Sequence, residues 1–299
     1  MRLPPPLAAG ARVALIAPSG PLLSSSAVDV ALEQCRSFGW DAVVGEHANA
    51  RDGYLAGDDA SRLHDLNAAL RDNAIDGIWC LRGGYGAMRL LARLDVDAMR
   101  RRPRVLIGYS DITALHAALG GASSVISYHG PHAGTRLSPF SRDSLQRAVV
   151  QQADSCGIAA GARTLRPGRA EGRLLGGNLA ILASLCGTPF APDYTGAILV
   201  LEDIGEPTYR IDRMLRQLTL SGALARVAGI AFGSFTEGTE SGDTSSRTLD
   251  DVLREAADLA GVPAVAGIPV GHIDDQWTLP LGAMAELDAD RNALHVALG

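Results

Sequence analysis

The sequence predicts an α/β fold, with a parallel sheet in its first half and a smaller α+β or barrel-like domain in its second. Three observations lead there. Short apolar β-type runs alternate with helical periodicity through residues 12–128. Hydrophobic residues make up 47% of the 299-residue chain, enough to fill the cores of two ordinary domains or of one large one. No apolar run approaches the roughly 20 residues that cross a bilayer.

The predicted strands of the first half lie at 12–17, 42–44, 78–81, 105–107 and 125–128. Helical patterns fill the gaps near 27–38, 61–71, 87–92 and 113–119. This βαβα order implies parallel strands with helices on both faces. Such sheets bind ligands at the carboxyl ends of their strands. From about 140 to 169 the pattern weakens, which predicts a linker. The second half changes style. Strands are expected at 172–175, 197–201, 227–232, 265–266 and within 287–296, with helical runs at 178–185 and 210–220. The Gly-, Ser- and Thr-rich stretch 236–248 reads as an exposed loop. The expected division is therefore a first domain over 1–139, a linker over 140–169 and a second domain over 170–299.

The net charge of −6 argues against nucleic acid as a partner, and the short Arg100-Arg101-Arg102 cluster reads as a solvated loop. The N-terminus lacks a signal-peptide pattern, so a cytoplasmic protein without a membrane partner is expected. Cys35, Cys80, Cys156 and Cys186 are scattered without paired spacing, which predicts neither a zinc site nor a disulfide frame. No metal and no cofactor are expected. All 27 basic residues are arginine. The absence of lysine excludes a P-loop lysine, a Schiff base and a Ser-Lys pair.

Ser110 stands where the apolar run Val105-Leu106-Ile107 turns through Gly108 and Tyr109 into a helical pattern. That is the outline of a nucleophile elbow, which exposes a hydroxyl at a tight strand-to-helix turn. Ser-Asp before an apolar run is equally an ordinary helix N-cap, so partners elsewhere must decide. Glu202 follows five apolar residues and ends a buried strand, where a carboxylate needs a partner. It serves equally as a turn cap or as a partner of Arg210 or Arg213. Among the seven histidines, His272 follows a Pro-x-Gly turn and is placed to project from a strand end. His129 and His132 flank a Gly-Pro turn after the fifth strand and are candidates to face the active cleft, whereas His64 and His116 lie in helical patterns and read as structural or surface residues. The loop Arg82-Gly83-Gly84-Tyr85-Gly86 matches neither a P-loop nor a dinucleotide fingerprint. Its glycines let backbone amides approach an oxyanion or carboxylate, and Arg82 offers a forked pair to a carboxylate. The plain alternative is a tight turn with a solvent-facing arginine.

Taken in order, these blocks resemble the LD-carboxypeptidase family of serine peptidases, of the muramoyltetrapeptide carboxypeptidase and microcin-C immunity type. The matching segments include Arg82-Gly83-Gly84-Tyr85-Gly86, Gly108-Tyr109-Ser110-Asp111 and His129-Gly130-Pro131. They continue through Gly176-Gly177-Asn178, Leu201-Glu202-Asp203, Tyr209-Arg210-Ile211-Asp212-Arg213 and Gly271-His272. One departure is His132, where the family usually carries methionine.

The resemblance implies Ser110 as nucleophile, His272 as base and Glu202 as the acid that orients it. It also implies a flavodoxin-like first domain, a metal-free mechanism and a homodimer. The amide of Asp111 and one from the glycine loop, at Gly84, are the expected oxyanion donors. Arg82 is the expected reader of the substrate carboxylate. The implied reaction releases terminal D-alanine from a murein tetrapeptide substrate in peptidoglycan recycling. The alternative within the family is a peptidase that cleaves a peptidyl-adenylate. An α/β-hydrolase shares the order Ser, acid, His but usually has glycine two places after the serine, where this chain has Ile112. A non-catalytic binding protein has no need of the three residues together.

Overall fold

The computed structural model describes residues 1–238 and 247–298. Most of the expected loop 236–248 therefore lies outside the described residues. The first half supplies β1 (Arg12–Ile16), β2 (Asp41–Val44), β3 (Gly77–Cys80), β4 (Val105–Gly108) and β5 (Ser127–His129). The remaining strands are β6 (Gly157–Ile158), β7 (Arg163–Arg166), β8 (Arg169–Asn178), β9 (Ala197–Ile204), β10 (Gly229–Thr236), β11 (Ala264–Ala266), β12 (Leu279–Leu281), β13 (Met284–Asp288) and β14 (Ala293–Ala297).

The first sheet runs β2-β1-β3-β4-β5, all parallel, with β12 added antiparallel at the β5 edge. This is the flavodoxin-like strand order. β3 and β4 are buried at every position, as central parallel strands with both faces covered must be. On one face Trp40, Trp79 and Tyr128 anchor the core, and on the other Leu66, Ile78, Leu106 and Leu115 do so. The helix Asp59–Arg71 starts at Asp58, whose carboxylate accepts the Ser61 amide, and the helix Ala27–Phe38 stops at left-handed Gly39.

The second sheet has eight strands in the order β6-β14-β13-β8-β9-β10-β11-β7. Its centre, β8 to β11, is parallel, and antiparallel strands flank it. The helices Thr208–Leu220 and Leu249–Ala260 cover one face. The other face packs Ile198, Val200, Trp277 and Leu279.

Two features differ from the sequence expectation. The segment expected as a linker carries most of the helix Pro139–Gln146, then β6 and β7, which close the second sheet at its two edges. Strands of two and four residues carry too few alternations to be read as periodicity. In addition, β12 leaves the second domain and pairs with β5, Leu279 opposite His129 and Leu281 opposite Ser127. Pro280 is tolerated there because β12 is an edge strand. No helix among the described residues is long and apolar enough to cross a membrane.

Candidate active site

The elbow is built by three residues. β4 ends at Gly108, Tyr109 is extended, and Ser110 has φ 61° at the start of a short 3-10 turn, Ser110–Ile112. A helix N-cap keeps extended backbone before the helix. Tyr109 occupies that position, so the N-cap reading of Ser110 fails. A non-glycine residue in the left-handed region stores strain of about 1–3 kcal/mol, a cost that clusters at functional sites. A Cβ on Gly108 would stand 3.0 Å from the Ile112 side chain, so the turn returns onto its strand only with glycine there. Gly83 presses on the serine, because a Cβ there would lie 3.0 Å from Ser110 Cβ and 3.2 Å from its Oγ. Buried Asp111 accepts the Ala87 amide at 2.8 Å and ties the end of the glycine loop to the elbow. Burial raises the Asp111 carboxyl above the ordinary carboxylate range.

Glu202 lies in β9 with no exposed surface, and its Oε2 is 2.8 Å from His272 Nδ1. The His272 side chain keeps 15% of its surface open. With the Nδ1 proton donated to the carboxylate, Nε2 is left as the acceptor. Two glycines permit this contact. Gly271 has φ 121°, and a Cβ there would stand 3.0 Å from Glu202 Oε2. A Cβ on Gly233 would stand 3.2 Å from Glu202 Cβ and 2.4 Å from the Val270 carbonyl.

Tyr109 joins the two halves of this arrangement. Its ring lies 4.8 Å from the His272 ring and stacks on His132 at 4.2 Å. Burial, with the Glu202 charge adding, pushes the Tyr109 phenol up to about 12, so it stays protonated. Burial acts oppositely on the histidines. His132 is pushed down to about 3, His116 to about 4 and His129 well below its ordinary value. Neutral His116 therefore donates from Nε2 to the Gly108 carbonyl at 2.8 Å and accepts from Ser127 through Nδ1 at 2.9 Å. His116 is structural, as its helical setting suggested. Of the Gly-Pro pair, His132 lines the cleft and His129 is fully buried.

A cleft of about 260 Å³ opens beside His272, lined by Tyr109, His132, Arg136, Ile204 and Asp274. Arg82 is half-buried, and its Nη1 donates to the Pro21 carbonyl at 2.6 Å. Gly84 has φ 111° and packs on Gly20, whose amide donates to the Gly83 carbonyl at 2.9 Å. Among the described residues no group of three or more histidine, cysteine or acidic side chains is arranged to hold a metal ion.

Two further residues of the quoted blocks, Asp203 and Asn178, complete the surroundings. Asp203 accepts from Asn178 Nδ2, Ala180 N and Ile204 N, each at 2.9 Å. Its burial, with the Glu202 charge adding, pushes its carboxyl up to about 6. The Asn178 backbone N–H in turn donates to Thr113 Oγ1 at 3.0 Å, on the helix that follows the elbow. The Leu-Glu-Asp and Gly-Gly-Asn blocks contained both residues, but only contact across β8 and β9 gives them a task.

Two family models match the chain: LD-carboxypeptidase N-terminal domain over residues 13–130 and LD-carboxypeptidase C-terminal domain over 171–287. The murein tetrapeptide carboxypeptidase of Pseudomonas aeruginosa is 37% identical over 294 residues, covering 94% of each chain. The crystal structure of muramoyltetrapeptide carboxypeptidase from Oxalobacter formigenes superimposes with a TM-score of 0.85 at 29% identity, over 95% of this chain and 97% of that one. The wild-type apo form of the microcin C7 self-immunity protein MccF shares the fold, with a TM-score of 0.89 at 24% identity over 99% and 98% of the two chains. The chain belongs to the LD-carboxypeptidase family, and it is a serine-type hydrolase of that family.

Proposed function

We propose that this enzyme removes terminal D-alanine from murein tetrapeptide in the cytoplasm, as a homodimer, with Ser110, His272 and Glu202 as its catalytic residues. The observation that carries the assignment is the 2.8 Å contact between His272 and fully buried Glu202, joined through the Tyr109 ring to a serine held at positive φ.

In this reading Ser110 Oγ attacks the carbonyl before D-alanine while His272 Nε2 takes its proton. Glu202 holds the imidazolium that forms. The carbonyl oxygen gains the charge, and the amides of Asp111 and Gly84 receive it, at roughly 3 kcal/mol per donor in comparable sites. The C–N bond then breaks, and His272 returns the proton to the departing amine. Water, deprotonated by the same imidazole, hydrolyses the acyl-enzyme and regenerates the serine. The murein substrate is supported by the P. aeruginosa and O. formigenes relatives.

Release of D-alanine from the free-acid tetrapeptide tests the reading. Ser110→Ala, Glu202→Gln and His272→Ala are each expected to lose most activity. Double variants should be little worse than the worst single variant, because the three act as a unit. A Ser110→Ala enzyme within tenfold of the parent would overturn the serine assignment. An enzyme that ignores the tetrapeptide but cleaves an aminoacyl-adenylate conjugate would overturn the substrate.

A further inference from the structure

We infer that Arg136 reads the terminal carboxylate of the substrate. The inference rests on the carboxypeptidase reading and deepens it. An enzyme that releases a C-terminal amino acid must recognise a carboxylate, and in a chain without lysine the charged candidates are arginines. Arg136 is the one arginine among the described residues that line the cleft beside His272. The other charged side chains there, Glu237 and Asp274, are acidic and repel an anion.

The backbone around Arg136 is fixed. Buried Gln34 donates through Nε2 to the carbonyls of Ala133 at 2.7 Å and Thr135 at 2.8 Å. Just beyond, Ser138 caps the helix Pro139–Gln146. The head of Arg136, by contrast, is open to solvent. Its side chain is 73% exposed, and among the described residues its ion-pair partner is Glu33, itself 58% exposed, at 3.0 Å. An exposed pair of this kind is held weakly and yields readily to a better partner. A substrate carboxylate in the partly enclosed cleft offers such a partner, with two parallel charge-assisted bonds.

Arg82 is placed differently. It lies outside this cleft lining, is half-buried, and already spends a donor on the Pro21 carbonyl. That contact, with the Gly20 amide on the Gly83 carbonyl, braces the glycine loop against residues 20–21 and gives Arg82 a structural task.

The test compares the free-acid tetrapeptide with its C-terminal amide, reading kcat/KM for each. The parent enzyme should prefer the acid. Arg136→Ala should lower kcat/KM on the acid about 10- to 100-fold and erase that preference, because a hydrogen-bonded charge is lost from one substrate only. Glu33→Gln frees Arg136 from its competitor and should leave acid cleavage within about twofold or improve its KM. Arg82→Ala should lower both substrates alike. Equal loss on acid and amide in Arg136→Ala overturns the inference, as does acid-selective loss in Arg82→Ala alone. A parent enzyme that cleaves no tetrapeptide fails the functional proposal itself, and the carboxylate reading falls with it. A parent that cleaves the tetrapeptide while Arg136→Ala remains acid-selective overturns the carboxylate reading only.

Discussion

Ser110 concentrates the conflict between stability and function in one backbone angle. Its φ of 61° belongs to a conformation that glycine adopts freely and serine does not. Substitutions there should reveal the strain. Ser110→Ala keeps a Cβ in the left-handed region, whereas Ser110→Gly removes it. The glycine variant is expected to be about 1 kcal/mol more stable than the alanine variant, as read from urea midpoints, and both should be inactive. Equal midpoints would mean that the turn carries no strain. The proposed nucleophile, acid and base stood out in the sequence because each stands at the end of an apolar run or turn inside an ordered set of blocks. Tyr109 was not. Its chain position beside the serine says nothing of a ring 4.8 Å from a histidine 163 residues later.

At the scale of elements, the strands of the first half were legible because buried parallel strands are continuous apolar runs. The helix Leu249–Ala260 stands outside the expected elements, although Thr248 and Asp251 form a reciprocal capping box at its start. That signal, a threonine three residues before an aspartate, was available in the sequence. The helix after the elbow depends on His116, which links it to the end of β4 and to Ser127 of β5. This link has a pH signature. Burial depresses the His116 pKa to about 4, against about 6.5 in an unfolded chain. Below pH 6.5 the unfolded state gains a proton that the folded state refuses. The stability contributed above that pH is therefore lost as pH falls toward 4. Between pH 7.5 and 5 the loss from this residue is about 2 kcal/mol. His132 and His129 act in the same direction. His116→Gln retains a donor for Gly108 and an acceptor for Ser127 but takes up no proton. Its urea midpoint should fall measurably less over that pH interval than the parent's, and parallel declines would remove His116 as a cause.

For the molecule as a whole, the assignment of serine to one domain and of acid and base to the other suggests that domain motion gates the site. The connections argue for a fixed relation instead. The chain that leaves His272 does not stay in the second domain. It enters the first sheet as β12, and Leu279 pairs with the same His129 that pairs with Gly108 at the root of the elbow. Between His272 and β12, the helix Pro139–Gln146 holds the loop at two points. Ser141 Oγ donates to the Asp274 carbonyl at 2.6 Å and accepts the Gln276 amide at 2.8 Å, while Ser144 Oγ accepts the Thr278 amide at 2.8 Å. The region that read as a linker is thus the clamp on the loop carrying His272. Ser141 touches neither His272 nor Ser110, so its removal tests the clamp alone. Ser141→Ala leaves the buried Gln276 amide without its partner and the Asp274 carbonyl with only the longer 3.3 Å bond from Ser138 Oγ, and should cost about 1–3 kcal/mol of stability, still compatible with folding. A loop released by an ångström misplaces the imidazole, and such shifts carry large rate penalties. The expected result is a tenfold or greater fall in kcat that exceeds any change in KM, because the proposed carboxylate contact at Arg136 lies outside this loop. A kcat that stays at the parent value in a folded Ser141→Ala enzyme would show that β12 alone fixes His272 against the elbow.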